Sequence, residues 1–218
     1  MEHPKQTAES MAKNVMRFSE LKNKGIPIMF IDSMIPRHYR MNYAVIGDTA
    51  SENPDYEIQR AITTPHNFQI GMGWAPPHNG PAWHTHDYIE SFFILKGPWR
   101  FYWGNEDDPA KAEGYIDVNE WDLITLPPGM YRGFEYIGEE IGWFFAVLES
   151  HRVFEGKDPY WSPQIEQQAA ELGYHANELG KMVHPSHYQQ DKAEHTQRLL
   201  DLFQQHMGMS LHDFQPPK

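Results

Sequence analysis

The apolar positions of this chain change period three times. Met11, Val15, Phe18 and Leu21 recur at helical spacing, which predicts one helix over residues 7–24 with a single buried stripe. Thr7 suits its N-cap, and Lys24-Gly25 followed by Pro27 stops it. The short apolar runs PIMFI and NYAVIG then predict strands between residues 27 and 47. Further on the period drops to two: Phe68, Ile70, Met72 and Trp74 alternate with Gln69, Gly71 and Gly73. Six more short runs follow, from SFFIL to IGWFFAVL, separated by turn segments such as GNEDDPAKAEG and PPGM. Strands this short and regular, with no helical pattern between them, predict a mainly β chain: an antiparallel sandwich or barrel.

After His151 the helical period returns. Ser162-Pro163 opens a helix carrying Ile165, Ala169 and Leu172 and ending at Gly173, and a second spans about residues 186–206 with Leu199, Leu202 and Phe203. The histidines of this region (His184, His187, His195, His206) read as a solvated helix face. The expected organisation is an N-terminal helix with flanking strands over 1–55, a β-barrel over 56–155 and a C-terminal helical extension over 156–218.

Composition narrows the chemistry. A chain of 218 residues can bury a sizeable core, and its seven Trp, eleven Tyr and twelve Phe favour sheet packing. The formal net charge of −12 argues against nucleic acid or an anionic membrane as partner, since both need clustered Lys and Arg. Cysteine is absent, so metal or nucleophile chemistry must use histidine and carboxylate. The N-terminus lacks the apolar core of a signal peptide, and WFFAVL is too short to span a bilayer. A soluble, cytoplasmic protein is expected.

One stretch, GPAWHTHDYIESFFILKG from Gly80 to Gly97, brings three metal-ligand types together: His84, His86 and Glu90. A His-x-His pair is unremarkable in a chain with thirteen histidines, but with Glu and Gly at the spacing found here the chance expectation is roughly 0.005. On a strand His84 and His86 share a face, whereas a straight strand would carry Glu90 roughly 20 Å away from His84. The chain must therefore reverse at residues 87–89 and return Glu90 on a neighbouring strand about 4.8 Å away, facing the same interior. Two imidazoles and a carboxylate then form a facial triad suited to Fe(II) among divalent ions, with open positions for substrate or oxygen. The competing reading is a surface hairpin whose histidines only bond nearby backbone.

At these residues the sequence resembles the cupin superfamily, whose first motif is Gly-x5-His-x-His-x3-4-Glu-x6-Gly. His84, His86, Glu90 and Gly97 match, and Gly80 stands two residues later than the motif's first glycine. The second motif, Gly-x5-Pro-x-Gly-x2-His-x3-Asn, falls on Trp121 to Tyr136, with Pro127 and Gly129 in register and Arg132 where most metal-binding cupins place a third histidine. The resemblance covers residues 67–150. It implies a double-stranded β-helix (jelly-roll) barrel, often a homodimer, with a divalent metal held inside.

Arg132 has no lone pair for a metal and cannot replace that histidine. Either three ligands hold the ion and Arg132 binds an anionic oxygen of the substrate or pairs with Glu90, or the barrel is a metal-free scaffold. His78 and His151 stand near enough in sequence to reach the mouth. Arg100 and Tyr102 share one face of their strand and Trp99, Phe101 and Trp103 the other, with the interior set undecided; Trp83 and Tyr131 adjoin the ligands. The candidate substrate contacts are thus Arg132, Arg100, Tyr102, Trp83 and Tyr131. The resemblance implies a metal-dependent oxidoreductase of dioxygenase type acting on a small, anionic or chelating molecule, with Fe(II) favoured and Mn, Ni or Zn as alternatives. A non-catalytic small-molecule-binding cupin and a metal-independent sugar isomerase are the other readings.

Overall fold

A computed structural model describes residues 6–47, 52–56, 60–149 and 158–216 of the chain. In chain order the strands are β1 (Met41–Ile46), β2 (Phe68–Ala75), β3 (His84–Thr85), β4 (Glu90–Lys96), β5 (Trp99–Gly104) and β6 (Gly114–Val118). They continue with β7 (Leu123–Leu126), β8 (Tyr131–Tyr136), β9 (Gly142–Glu149), β10 (Tyr160–Trp161), β11 (His175–Ala176) and β12 (Met182–Val183). The α-helices are α1 (Ala8–Ala12), α2 (Phe18–Leu21), α3 (Pro163–Glu171) and α4 (Tyr188–Met207).

The strand pairing is nested. β5 pairs with β6, β4 with β7, β3 with β8 and β2 with β9, every pair antiparallel. Successive pairs fall alternately in two sheets, ordered β1-β2-β9-β4-β7 and β10-β3-β8-β5-β6. One long antiparallel ribbon therefore winds on itself as a double-stranded β-helix, the expected architecture. β1 extends the first sheet and β10 the second.

Between the sheets lies an apolar core that includes Phe92, Trp99, Phe101, Phe134 and Phe144. The first sheet is buried on its outer face as well. Met72 and Trp74 of β2 point outward, where they pack with Tyr43 and Trp143 against Leu199 and Phe203 of α4. Strand alternation then turns Gln69, Gly71 and Gly73 inward, so this strand presents its bulk to the helix and its small side to the interior. The two C-terminal helices form as expected. Ser162 caps α3, with its hydroxyl accepting from the Ile165 N–H, and Gly208 ends α4 in the left-handed region at φ 67°.

Three expectations are corrected. The single helix over 7–24 is two short ones: Met11 and Val15 are 48% and 46% exposed, so among the described residues the first half of the stripe is left uncovered. Thr7 still caps α1, and of the four stripe residues Leu21 and Phe18 reach the core, joined there by Met16. PIMFI forms no strand. Ile26 makes an isolated bridge to Asn42, and Ile31–Met34 is a 3-10 turn. Nearby, Arg40 and Asp32 form a buried bidentate pair at 2.9 and 2.8 Å, and Asp32 also accepts from the Ala82 N–H at 3.0 Å. That pair ties the N-terminal segment to the loop before β3. Among the described residues, no helix is long and apolar enough to cross a membrane.

The third correction concerns His195, which is fully buried in α4 with its ring edge-on to Tyr39. Burial, then the nearby Arg198 and Arg40, push its pKa down to about 4. The unfolded chain protonates this histidine below about pH 6.5 while the folded chain does not, so acid favours unfolding. Stability should fall by on the order of 1.4 kcal/mol per pH unit from this group as pH drops through that interval towards the folded pKa. Urea titrations at several pH values check this, and His195→Phe should flatten the dependence.

Candidate metal centre

His84 opens β3 and His86 follows two residues later, so both imidazoles face the interior. The chain then reverses, as the spacing required, but not into a neighbouring strand. Glu90 begins β4, which pairs with β7 and β9 in the opposite sheet. Convergence occurs across the gap between sheets rather than along one. All three side chains are buried, and one donor atom from each lies within 4.8 Å of the others.

The two imidazoles are held alike. His84 Nδ1 sits 2.7 Å from the Ala82 carbonyl, which can only accept, so Nδ1 carries the proton. Burial, then His86 and Arg132, hold the His84 pKa well below its ordinary value. The ring is neutral, and its Nε2 keeps a lone pair. His86 Nδ1 meets Asp158 Oδ1 at 3.3 Å, and its Nε2 faces Glu90 Oε2 at 3.0 Å. Tyr88 stacks on the His86 ring at 4.4 Å and donates its hydroxyl to Asp158 Oδ2 at 3.0 Å. Burial, then Asp158 and Glu90, keep that phenol well above its usual pKa and hence neutral.

The residue at the place of the missing histidine is fully buried. Arg132 pairs across the ladder with His84 and donates from Nη1 to the Met130 carbonyl at 2.9 Å. Its Nη2 lies 3.6 Å from Glu90 Oε2, at ion-pair distance, and Nε and Nη2 make no hydrogen bond. Burial lowers its pKa, opposed by Glu90, Tyr88 and Asp158. The guanidinium does not line the cavity beside the triad, because Glu90 stands between. Glu90, one of the two partners expected for Arg132, stands at ion-pair distance from it.

That cavity has a volume of about 100 Å³ and mostly apolar walls; His84, His86, Tyr88 and Glu90 form its polar end. The other sequence-predicted contacts stand elsewhere. Arg100 and Tyr102 point to the outer face of the second sheet, where Arg100 clasps Asp117 at 2.6 and 2.7 Å and Tyr102 donates to Glu135. Trp83 and Tyr131 stack on each other at 6.3 Å outside the cavity lining, with Trp83 bonded to the Glu106 carbonyl. Each is next in sequence to an inward residue, and alternation sends it outward. His78 is exposed at the far end of β8 from Arg132, its N–H on the Tyr136 carbonyl. His151 lies outside the described residues.

Sequence reasoning missed the groups that brace the triad from outside the two motifs. β10 pairs with β3, setting Trp161 opposite His84 with rings 5.2 Å apart, and Asp158 leads into it. Trp161 Nε1 donates to Glu52 at 2.8 Å, and burial raises that carboxyl to about 8. No motif marks Asp158, which stands 72 residues from His86.

The nested ribbon, with the first motif at the β3–β4 crossing and Pro127-Gly129 in the β7–β8 turn, settles the architecture. The chain has the cupin fold. No protein-family profile matches the sequence, and no curated protein matches it. Among solved structures it is similar to a cupin-2 conserved barrel domain protein from Rhodopseudomonas palustris, at 12% identity over 63% of this chain and 81% of that one, TM-score 0.40. A cupin-2 domain from Rhodospirillum rubrum is similar at 14% identity over 66% and 82%, TM-score 0.40. A structure of DMSP lyases is similar at 10% identity over 56% of this chain, TM-score 0.39, and the match spans 52% of that chain, about half its length. At these identities the likeness is one of fold only.

The cupin site makes a spectroscopic prediction. With Nδ1 on the Ala82 carbonyl and a lowered pKa, His84 should remain the neutral Nδ1–H tautomer at about pH 6, where an unperturbed histidine is mostly charged. Long-range proton–nitrogen NMR spectra of the metal-free chain read this directly; a doubly protonated ring at that pH would contradict the geometry.

Proposed function

We propose that this chain is a metal-dependent cupin enzyme, an oxidoreductase of dioxygenase type acting on a small organic molecule with a chelating or anionic oxygen. The observation that carries the reading is the matched pair of imidazoles. Each Nδ1 has a protein acceptor at hand, Ala82 O or Asp158, which leaves each Nε2 for the interior beside Glu90. Outer partners of this kind fix the tautomer and orientation of metal-bound histidines. His84, His86 and Glu90 would hold the ion, an imidazole-and-carboxylate set that suits Fe(II), with Mn, Ni or Zn as alternatives. Such an ion supplies Lewis acidity or dioxygen chemistry at its open positions.

The chain's own residues do the rest. Asp158 and Tyr88 orient His86, and the Phe92, Phe144 and Leu148 side of the cavity keeps water from the substrate. Arg132 acts through Glu90 as a positioning residue: its buried guanidinium, 3.6 Å from Oε2, draws the carboxylate to one side. A homodimer belongs to the same proposal, since Tyr115, Ile116, Trp121 and Leu123 stand exposed around the β6–β7 corner; light scattering measures it.

The Glu90–Arg132 pairing also favours a second reading, a metal-free binding protein in which the guanidinium takes the ion's place. Metal analysis separates the two. The purified chain should carry or take up one divalent ion, and His84→Ala should lose it. Asp158→Ala should weaken metal affinity by about 10–100-fold without abolishing it. Arg132→His should raise affinity by adding a lone pair and removing a like charge. A chain that binds none of Fe(II), Mn(II), Ni(II) or Zn(II) is the binding protein. Dioxygen uptake with chelating substrates, in the metal-loaded chain, tests the reaction class.

A further inference from the structure

Three inward positions on adjacent strands are small. Ala44 of β1 pairs with Gly71 of β2, which pairs with Ala146 of β9, and all three line the cavity. A Cβ added at Gly71 would meet nothing closer than the Tyr43 carbonyl at 3.8 Å. This row is a slot in the cavity wall. Two buried amides flank it, also facing inward: Gln69, 4% exposed, and Asn42, 8% exposed. Among the described residues, Gln69 Oε1 and Asn42 Nδ2 have no hydrogen-bond partner. Buried polar atoms are paired in the great majority of cases, so an orphan oxygen at one end of this slot calls for a ligand that pairs it. Gln69 further shares a cross-strand row with Glu90, through Leu148, so the backbones stand about 10 Å apart, two strand spacings.

We propose that the slot over Ala44, Gly71 and Ala146 seats a compact planar ring whose edge carries a hydroxyl or N–H, donated to Gln69 Oε1. The ring's other end presents an acidic or chelating oxygen to the His84, His86 and Glu90 cluster. This rests on the metal-centre reading for that end alone; the amide end selects the ligand by itself. Gln69 is thus a specificity-determining residue, and a ring without the polar substituent leaves its amide oxygen unpaired. Such a site rejects the deficient analogue strongly.

Calorimetry on the zinc-loaded chain, with 4-hydroxybenzoate and benzoate as probes and zinc content assayed on each sample, tests this. Wild type should bind 4-hydroxybenzoate about tenfold or more tighter than benzoate. Gln69→Leu should bring the two within about twofold and, by removing an unpaired buried oxygen, raise the ligand-free Tm by about 2–4 °C. Gly71→Val should abolish binding of both probes with zinc retained. Equal affinities in wild type, no binding of either probe, a preference that survives Gln69→Leu, or a lowered Tm in that variant would each overturn the slot. A hydroxyl preference without bound zinc would leave the slot standing and remove the metal reading; bound zinc without the preference would do the reverse.

Discussion

Side-chain alternation along paired strands constrains nearly every residue of the site. His84 and His86 face the interior because they are two apart, Arg132 because it lies across the ladder from His84, and Glu90 because β4 opens with it inward. The winding of the ribbon supplies the other half of the constraint. β3 and β4 lie in opposite sheets, so their inward faces meet across a gap only a few side chains wide. A one-residue slip in either strand would swap ligands for their neighbours and put Trp83 or Thr85 where His84 stands.

The flanking segments complete that arrangement. β10 and the residues before it bring Trp161 and Asp158 onto the two histidines, and the N-terminal segment supplies Glu52 behind Trp161 and the Asp32–Arg40 pair behind Ala82. Ala82 is itself the acceptor for His84. A change at Asp32 therefore acts on an imidazole through one backbone carbonyl. The site is held from three parts of the chain, and the barrel strands alone would leave both Nδ1 environments incomplete.

What was legible in the sequence followed from spacing. The triad's spacing implied a reversal at residues 87–89, the Pro127-Gly129 pair marked a turn, and the short-strand rhythm implied an antiparallel sandwich or barrel, which the motif resemblance narrowed to a double-stranded β-helix. What was not legible depended on which face of a strand is inside. Arg100 and Tyr102 against Trp99 and Phe101 is a choice of parity that only the partner strands decide, and they place the aromatic pair inside. β2 shows the same effect, since its bulky alternation reads as core but is packed under α4, leaving Gln69 and Gly71 for the cavity. His195 reads in the sequence as part of a solvated face because polarity alone does not say that a helix is covered.

Charge links these findings. With His86 in the neutral form that a metal ligand must take, the groups around the triad with formal charge are Glu90 and Asp158, both negative, and Arg132, positive, while His84 and Tyr88 are held neutral by burial. The cluster is therefore left with one net negative charge in a largely apolar surrounding, where unbalanced charge is costly. A divalent cation reverses that imbalance to a single positive charge, and one monoanionic oxygen from a ligand then brings it to zero. Without Arg132 the same ion would be balanced by the protein's own two carboxylates and would gain less from an anion. Under the metal reading proposed above, the arginine in the usual histidine position would shift the charge balance so that a metal and an anionic ligand are each favoured by the other's presence.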